Sequence, residues 1–133
     1  MIFMTLRGLH HVAVICSDYE RSKDFYTRVL GLPIIAETHR AERESWKLDL
    51  ALPDGTQIEL FSFPSPPERP SRPEACGLRH LAFAVTHLDA VLHELMDVGV
   101  KAEPVRVDSL TGCRFTFFAD PDGLPIELYE TAG

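Results

Sequence analysis

The sequence predicts an α+β fold made of two copies of one β-α-β-β-β unit, and three observations carry that prediction. First, the chain repeats itself. Gly8-Leu9-His10-His11-Val12-Ala13-Val14 lies over Gly77-Leu78-Arg79-His80-Leu81-Ala82-Phe83, at an offset of 69 residues. Leu52-Pro53-Asp54-Gly55-Thr56-Gln57-Ile58-Glu59-Leu60 lies over Asp120-Pro121-Asp122-Gly123-Leu124-Pro125-Ile126-Glu127-Leu128, at an offset of 68. Register held this closely between two stretches marks a repeated supersecondary unit. Second, strand-like and helix-like patterns follow one another in the same order in each copy. Third, 133 residues with 45% hydrophobic and 25% charged content suffice for one ordinary globular domain.

Within each copy the elements are justified in order. His11 to Cys16 and His80 to Val85 are short, β-rich apolar runs that read as strands. Ser17-x-x-Glu20 has the form of a capping box, and Thr86-x-x-Asp89 is a weaker version, so a helix starts after each strand. Ser22, Phe25, Tyr26, Val29 and Leu30 recur at the spacing of one buried helical face, as do Leu88, Val91, Leu92, Leu95 and Met96. Gly31 and Gly99 stand where the helices should stop. Strand-like segments follow over 33–40, 46–52 and 56–62, then over 102–107, 114–119 and 124–130. Asp54-Gly55 and Asp122-Gly123 are hairpin-turn dipeptides between the last two strands of each copy. Module 1 therefore spans about 6–63 and module 2 about 77–130, within a single domain over 1–133. The linker over 64–76 is rich in proline, which disfavours helix and favours an extended connection.

Composition excludes several classes of function. Thirteen Lys+Arg against twenty Asp+Glu give a net charge of −7, so neither nucleic acid nor an anionic membrane is an expected partner. The apolar stretches are strand-sized, too short to span a bilayer. The start, MIFMTLRGLHH, lacks the pattern of a signal peptide, and the odd set Cys16, Cys76 and Cys113 has no CxxC spacing. A cytoplasmic protein with reduced thiols is expected.

The repeat sets His11 over His80 and Glu59 over Glu127. Strand alternation gives His11 a face with Ala13 and Ile15, and His80 a face with Ala82 and Ala84. Glu59 lies between Ile58 and Leu60, and Glu127 between Ile126 and Leu128, where an unpaired carboxylate is costly. A single strand histidine or glutamate is usually a solvated or paired residue. Four at repeat-equivalent positions point instead to a divalent ion, for which two imidazoles and two carboxylates are suitable donors. Zn²⁺, Ni²⁺, Co²⁺, Mn²⁺ and Fe²⁺ suit such a set. His10 is the rival to His11, but it aligns with Arg79 and falls on the opposite strand face.

HHVAVICSDYERSKDFYTRVLGL, followed by QIELF, GLRHLAFAV and DPDGLPIELYE, resembles the vicinal oxygen chelate superfamily, and within it glyoxalase I-like proteins. The resemblance covers nearly the whole chain. It implies paired β-α-β-β-β modules forming a cup-shaped mixed sheet around one divalent ion, with His11, Glu59, His80 and Glu127 as ligands. It also implies a lyase or isomerase that removes a proton next to a carbonyl through an enediolate, with Glu127 as the base and Glu59 serving the opposite face. An epimerase, an Fe²⁺ dioxygenase and a non-catalytic small-molecule binding module are the alternatives. Bacterial glyoxalase I usually carries an arginine in its first strand and an asparagine after the first glutamate's strand, both contacting glutathione. Val14-Ile15-Cys16 and Phe61-Ser62-Phe63 stand there instead.

Arg69 and Arg72 in the linker could present guanidinium groups to an anionic small-molecule substrate, or the linker could be a plain spacer. Arg114 alternates with Thr116 and Phe118, so it either enters the cup as an anion clamp or lies at the surface edge. Trp46, Phe115 and Phe117 read as core or interface, and Arg40, Arg43 and Lys47 as solvated charge. A homodimer with two equivalent sites is the expected assembly.

Overall fold

A computed structural model describes residues 4–133. The chain divides into two compact units, one ending at Pro66 and the other beginning at Pro67.

The first unit begins with strand β1 (His11–Cys16), followed by helix α1 (Tyr19–Asp24) and a π-helical turn over Phe25–Val29. Strands β2 (Ile34–Arg40), β3 (Ser45–Ala51) and β4 (Gln57–Ser62) complete it. The sheet order is β1-β4-β3-β2, parallel between β1 and β4 and antiparallel elsewhere. One face is closed by burying Val14, Cys16, Leu48, Leu50, Ile58 and Leu60 with Phe25 and Tyr26 of the helical segment. These strand residues alternate with His11, Ala13, Lys47, Asp49 and Glu59, so parity alone leaves the histidine and the glutamate on the other face. The Tyr19 hydroxyl and the Lys23 amine donate to Glu37 at 2.6 and 2.7 Å, tying α1 to β2.

The second unit repeats the plan with β5 (Leu81–Val85), α2 (Leu88–Asp97), β6 (Arg106–Val107), β7 (Arg114–Ala119) and β8 (Pro125–Glu130). Its order is β5-β8-β7-β6, again parallel only between β5 and β8. Leu88, Leu95, Phe118, Leu124, Ile126 and Leu128 are buried. Gly55 and Gly123 close the two hairpins at φ of 91° and 84°, a left-handed conformation that glycine adopts without a Cβ penalty. The α+β class, with two four-stranded mixed sheets and few helices, is the predicted one.

Several local expectations are corrected. Asp18, not Ser17, caps α1, accepting from the Arg21 backbone N–H at 3.2 Å. Thr86 does not cap α2. The N-cap position is His87, which offers no side-chain bond, and the Leu88 N–H is satisfied by Glu130 Oε2 at 2.9 Å. Met96 is 70% exposed, so the buried face of α2 stops at Leu95. The strand expected over 102–107 shrinks to Arg106 and Val107, both exposed at the sheet edge. The linker is not extended throughout: it turns over 71–74. Among the described residues no helix is long and apolar enough to cross a membrane.

Candidate functional site

In the first unit, Ala13 of β1 and Asp49 of β3 are the cross-strand neighbours of Glu59. His11 Nδ1 lies 3.5 Å from Glu59 Oε2. The Glu59 side chain is only 12% exposed, so its charge needs a partner. Two are in reach. One is the imidazole, and the other is Lys47, whose Nζ is 3.9 Å from Glu59 Oε1 and 3.5 Å from Asp49 Oδ1. His10 does not replace His11 at the glutamate. Its Nδ1 lies 2.9 Å from that of His11, so one ring donates to the other and His10 stands behind.

The second unit repeats the pair with different surroundings. His80, immediately before β5, places Nε2 3.2 Å from Glu127 Oε1, and the Glu127 side chain is 14% exposed. The cross-strand neighbours of Glu127 are Ala82 and Phe117. Phe117 stands where the first unit has Asp49, and Phe115 where it has Lys47. The His80 ring meets Phe117 edge-on, with ring centres 5.1 Å apart. Neither unit by itself gathers three or more His, Cys, Asp or Glu side chains into a metal-holding group among the described residues. Each supplies one imidazole–carboxylate pair, which is a fitting half-set of donors for a borderline divalent ion.

The other candidates take distinct places. Arg69 holds the chain around it, donating Nε to Ser71 Oγ and Nη2 to the carbonyls of Leu78 and Arg79. Arg72 is exposed and lines a cavity beside His80 together with Arg69 and Arg79. Arg114, expected either as an anion clamp or at the surface edge, is held by carboxylates of its own unit. It shares the buried strand face with Thr116 and Phe118, and its guanidinium is engaged by Glu130 at 3.0 Å and by Asp89 at 3.2 Å. Those carboxylates push the Arg114 pKa up, and Arg114 in turn, with the Leu88 N–H, holds the Glu130 carboxyl below the usual carboxylate range.

Phe115 and Phe117, expected in the core or an interface, lie on the face that carries Glu127 and are partly exposed. Trp46 stacks on Tyr19 at 5.4 Å. Arg40 and Arg43 are not merely solvated, since both lie over the Phe63 ring, at 5.8 and 5.5 Å. Cys76 is exposed and Cys16 buried, and all three cysteines are free thiols. Sequence reasoning missed Lys101 and Arg106, which join the cavity wall. It also missed Tyr129, whose hydroxyl donates to Asp108 at 2.9 Å and bonds Thr111. Strand parity held the signal for Tyr129, which lies two residues beyond Glu127.

Comparison with known proteins gives a consistent picture. YwkD of Bacillus subtilis (strain 168) is 61% identical over 127 residues, covering 96% of this chain and 99% of that protein. The crystal structure of a glyoxalase family protein from Enterococcus faecalis superposes with a TM-score of 0.89 at 48% identity, over 96% of this chain and all of that one. More distant are the 2-epi-5-epi-valiolone epimerase of Actinomyces sp., 30% identical over 94% of this chain and 83% of its own length, and Glyoxylase I 4 of Arabidopsis thaliana, 30% identical over 92% and 70%. The model of one family matches residues 8–128, spanning both His–Glu pairs and both sheets. The chain belongs to the Glyoxalase/Bleomycin resistance protein/Dioxygenase superfamily.

Proposed function

We propose that the chain is a divalent-metal-dependent enzyme of the glyoxalase I type, a lyase or isomerase that moves a proton next to a substrate carbonyl by way of an enediolate. One observation carries the reading. Two poorly exposed glutamates on repeat-equivalent strands each have a histidine within 3.5 Å. His11, Glu59, His80 and Glu127 would hold the ion, one pair from each unit. Zn²⁺, Ni²⁺, Co²⁺ and Mn²⁺ suit the donors, with Fe²⁺ the lesser alternative. When bound, such an ion supplies Lewis acidity that lowers the cost of negative charge developing on a carbonyl oxygen.

The chain's own residues do the rest. Glu127 takes the proton from carbon and returns it to the neighbouring carbon, with His80 at 3.2 Å orienting the carboxylate. Glu59, whose Oε1 lies 3.9 Å from Lys47 Nζ, serves the reverse face of the substrate. Ala13 and Ala82, the small neighbours of the two glutamates, leave room for a substrate above them. An epimerase is the second reading, favoured by the 30% identity to 2-epi-5-epi-valiolone epimerase. It uses the same proton abstraction and differs in where the proton returns. The working assembly in this reading is a cytoplasmic homodimer acting on a small molecule.

The test is metal content by inductively coupled plasma mass spectrometry on tag-free protein, beside turnover of methylglyoxal hemithioacetal before and after chelation. About one divalent ion per chain, with turnover lost on chelation and restored by the ion, is the expected result. Protein that takes up no ion from Ni²⁺, Zn²⁺ or Mn²⁺ solutions overturns the reading in favour of a non-catalytic binding module.

A further inference from the structure

A cavity of about 720 Å³ opens in the second unit beside His80, within the size range of small-molecule sites. Its wall carries five cations (Arg69, Arg72, Arg79, Lys101 and Arg106) against two carboxylates, Glu74 and Glu103. That excess of three positive charges sits in a chain whose net charge is −7. The cations are not equivalent. Arg69 is spent on the carbonyls of Leu78 and Arg79. Arg106 is held by Glu103 at 2.6 Å and lies over Phe115 and Phe117. Arg79 has only a long pair, 3.7 Å, with the exposed Glu74. Arg72 and Lys101 have neither a hydrogen-bond nor an ion-pair partner among the described residues.

Arg72 and Lys101 line the same cavity, where a counter-anion would offset the charge of both. A monocarboxylate would neutralise one of them. A phosphate monoester, with a charge of about −1.5 to −2 at neutral pH, answers both and offers three acceptor oxygens. The guanidinium of Arg72 can take two of those oxygens as a fork, while the Lys101 ammonium acts as a point charge. Phe117 lines the same cavity, touching His80 edge-on at 5.1 Å and lying 5.5 Å from the Arg106 guanidinium.

We propose that this cavity seats a phosphate monoester, held by Arg72 and Lys101 with Arg79 in support. The substrate is then a phosphorylated carbonyl compound whose reacting end lies at His80. The anion site stands on the cavity alone, whereas the assignment of the reacting end rests on the proposed metal chemistry.

The test is calorimetric titration of the full-length protein with glycerol 3-phosphate, with succinate and glycerol as comparison probes. Arg72→Ala and Lys101→Ala are each expected to weaken glycerol 3-phosphate binding about ten-fold or more, the loss typical of a charge-assisted bond. Arg28→Ala removes one cation of the other unit, in an exposed pair with Asp24, and is expected to change binding less than about two-fold. Equal losses in all three variants, or no binding by the wild type, overturn the proposal, and succinate binding tighter than glycerol 3-phosphate overturns the phosphate assignment. His80→Ala separates the two readings. Anion binding without any metal uptake by the wild type leaves the subsite standing and the metal chemistry refuted. Metal-dependent turnover with unaltered binding in Arg72→Ala and Lys101→Ala does the reverse.

Discussion

Glu59 and Glu127 occupy equivalent places in their units, yet their neighbours differ. Glu59 has Asp49 opposite and Lys47 at 3.9 Å, so its carboxylate belongs to a charged cluster. Glu127 has Ala82 and Phe117 opposite, and His80 is the polar side chain beside it. In the proposed mechanism Glu127 is the base, with His80 3.2 Å away. Glu127→Gln is therefore expected to lower kcat by about 10²–10⁴-fold, the usual contribution of a positioned acid–base group, with metal content unchanged. Steady-state turnover beside metal analysis checks this, and an unaltered kcat removes Glu127 from the mechanism. The His–Glu pairing itself was legible, since the repeat and strand parity put both members on one face. Lys47 was readable too, by counting outward from the Asp54-Gly55 turn. Ala51 then opposes Gln57, Asp49 opposes Glu59, and Lys47 falls beside them. The same count from Asp122-Gly123 brings Phe117 to Glu127 and off the list of core residues.

At the scale of elements, the start of α2 shows what a local sequence pattern cannot carry. Thr86-x-x-Asp89 predicts a cap made within the helix, but the cap comes from the end of β8. Glu130 accepts from the Leu88 N–H at 2.9 Å and from Arg114 at 3.0 Å, while Asp89 turns to Arg114 as well. A partner 42 residues away leaves no trace in the first turn of the helix. The arrangement has a pH consequence. Arg114 first, and the Leu88 N–H second, lower the Glu130 pKa from its ordinary 4.5. A carboxylate with a depressed folded pKa stabilises the fold fully above its unfolded value and loses that contribution as pH falls through the folded one. Glu130→Gln keeps the shape and removes the charge. It is expected to lower Tm by a few degrees at pH 7, with the gap to wild type closing as pH drops below 4.5. Thermal unfolding followed by circular dichroism from pH 7 to about pH 3 checks this. A gap that stays constant across that range refutes the charged cap.

At the scale of the whole molecule, the proposed ligand set draws one His–Glu pair from each unit. Each unit has its own sheet, its own buried face and its own His–Glu pair. Two protein donors hold a divalent ion weakly, whereas four donors of this kind make a proper site. If the pairs act jointly, one ion binds per chain, and removing the imidazole from either unit destroys the site. If each pair acts alone, two ions bind per chain, and each single variant keeps one. His11→Ala and His80→Ala separate these cases. Under joint action both variants lose the ion completely, despite lying in different units. The same comparison can be read without any activity, because an ion bound only to the folded state raises stability by about 2.7 kcal/mol at a hundred-fold excess over Kd. Zn²⁺ or Ni²⁺ is therefore expected to raise the wild-type Tm and leave both variants unmoved. A rise retained in one variant and lost in the other places the ion on a single pair. A rise halved in each assigns one ion to each unit.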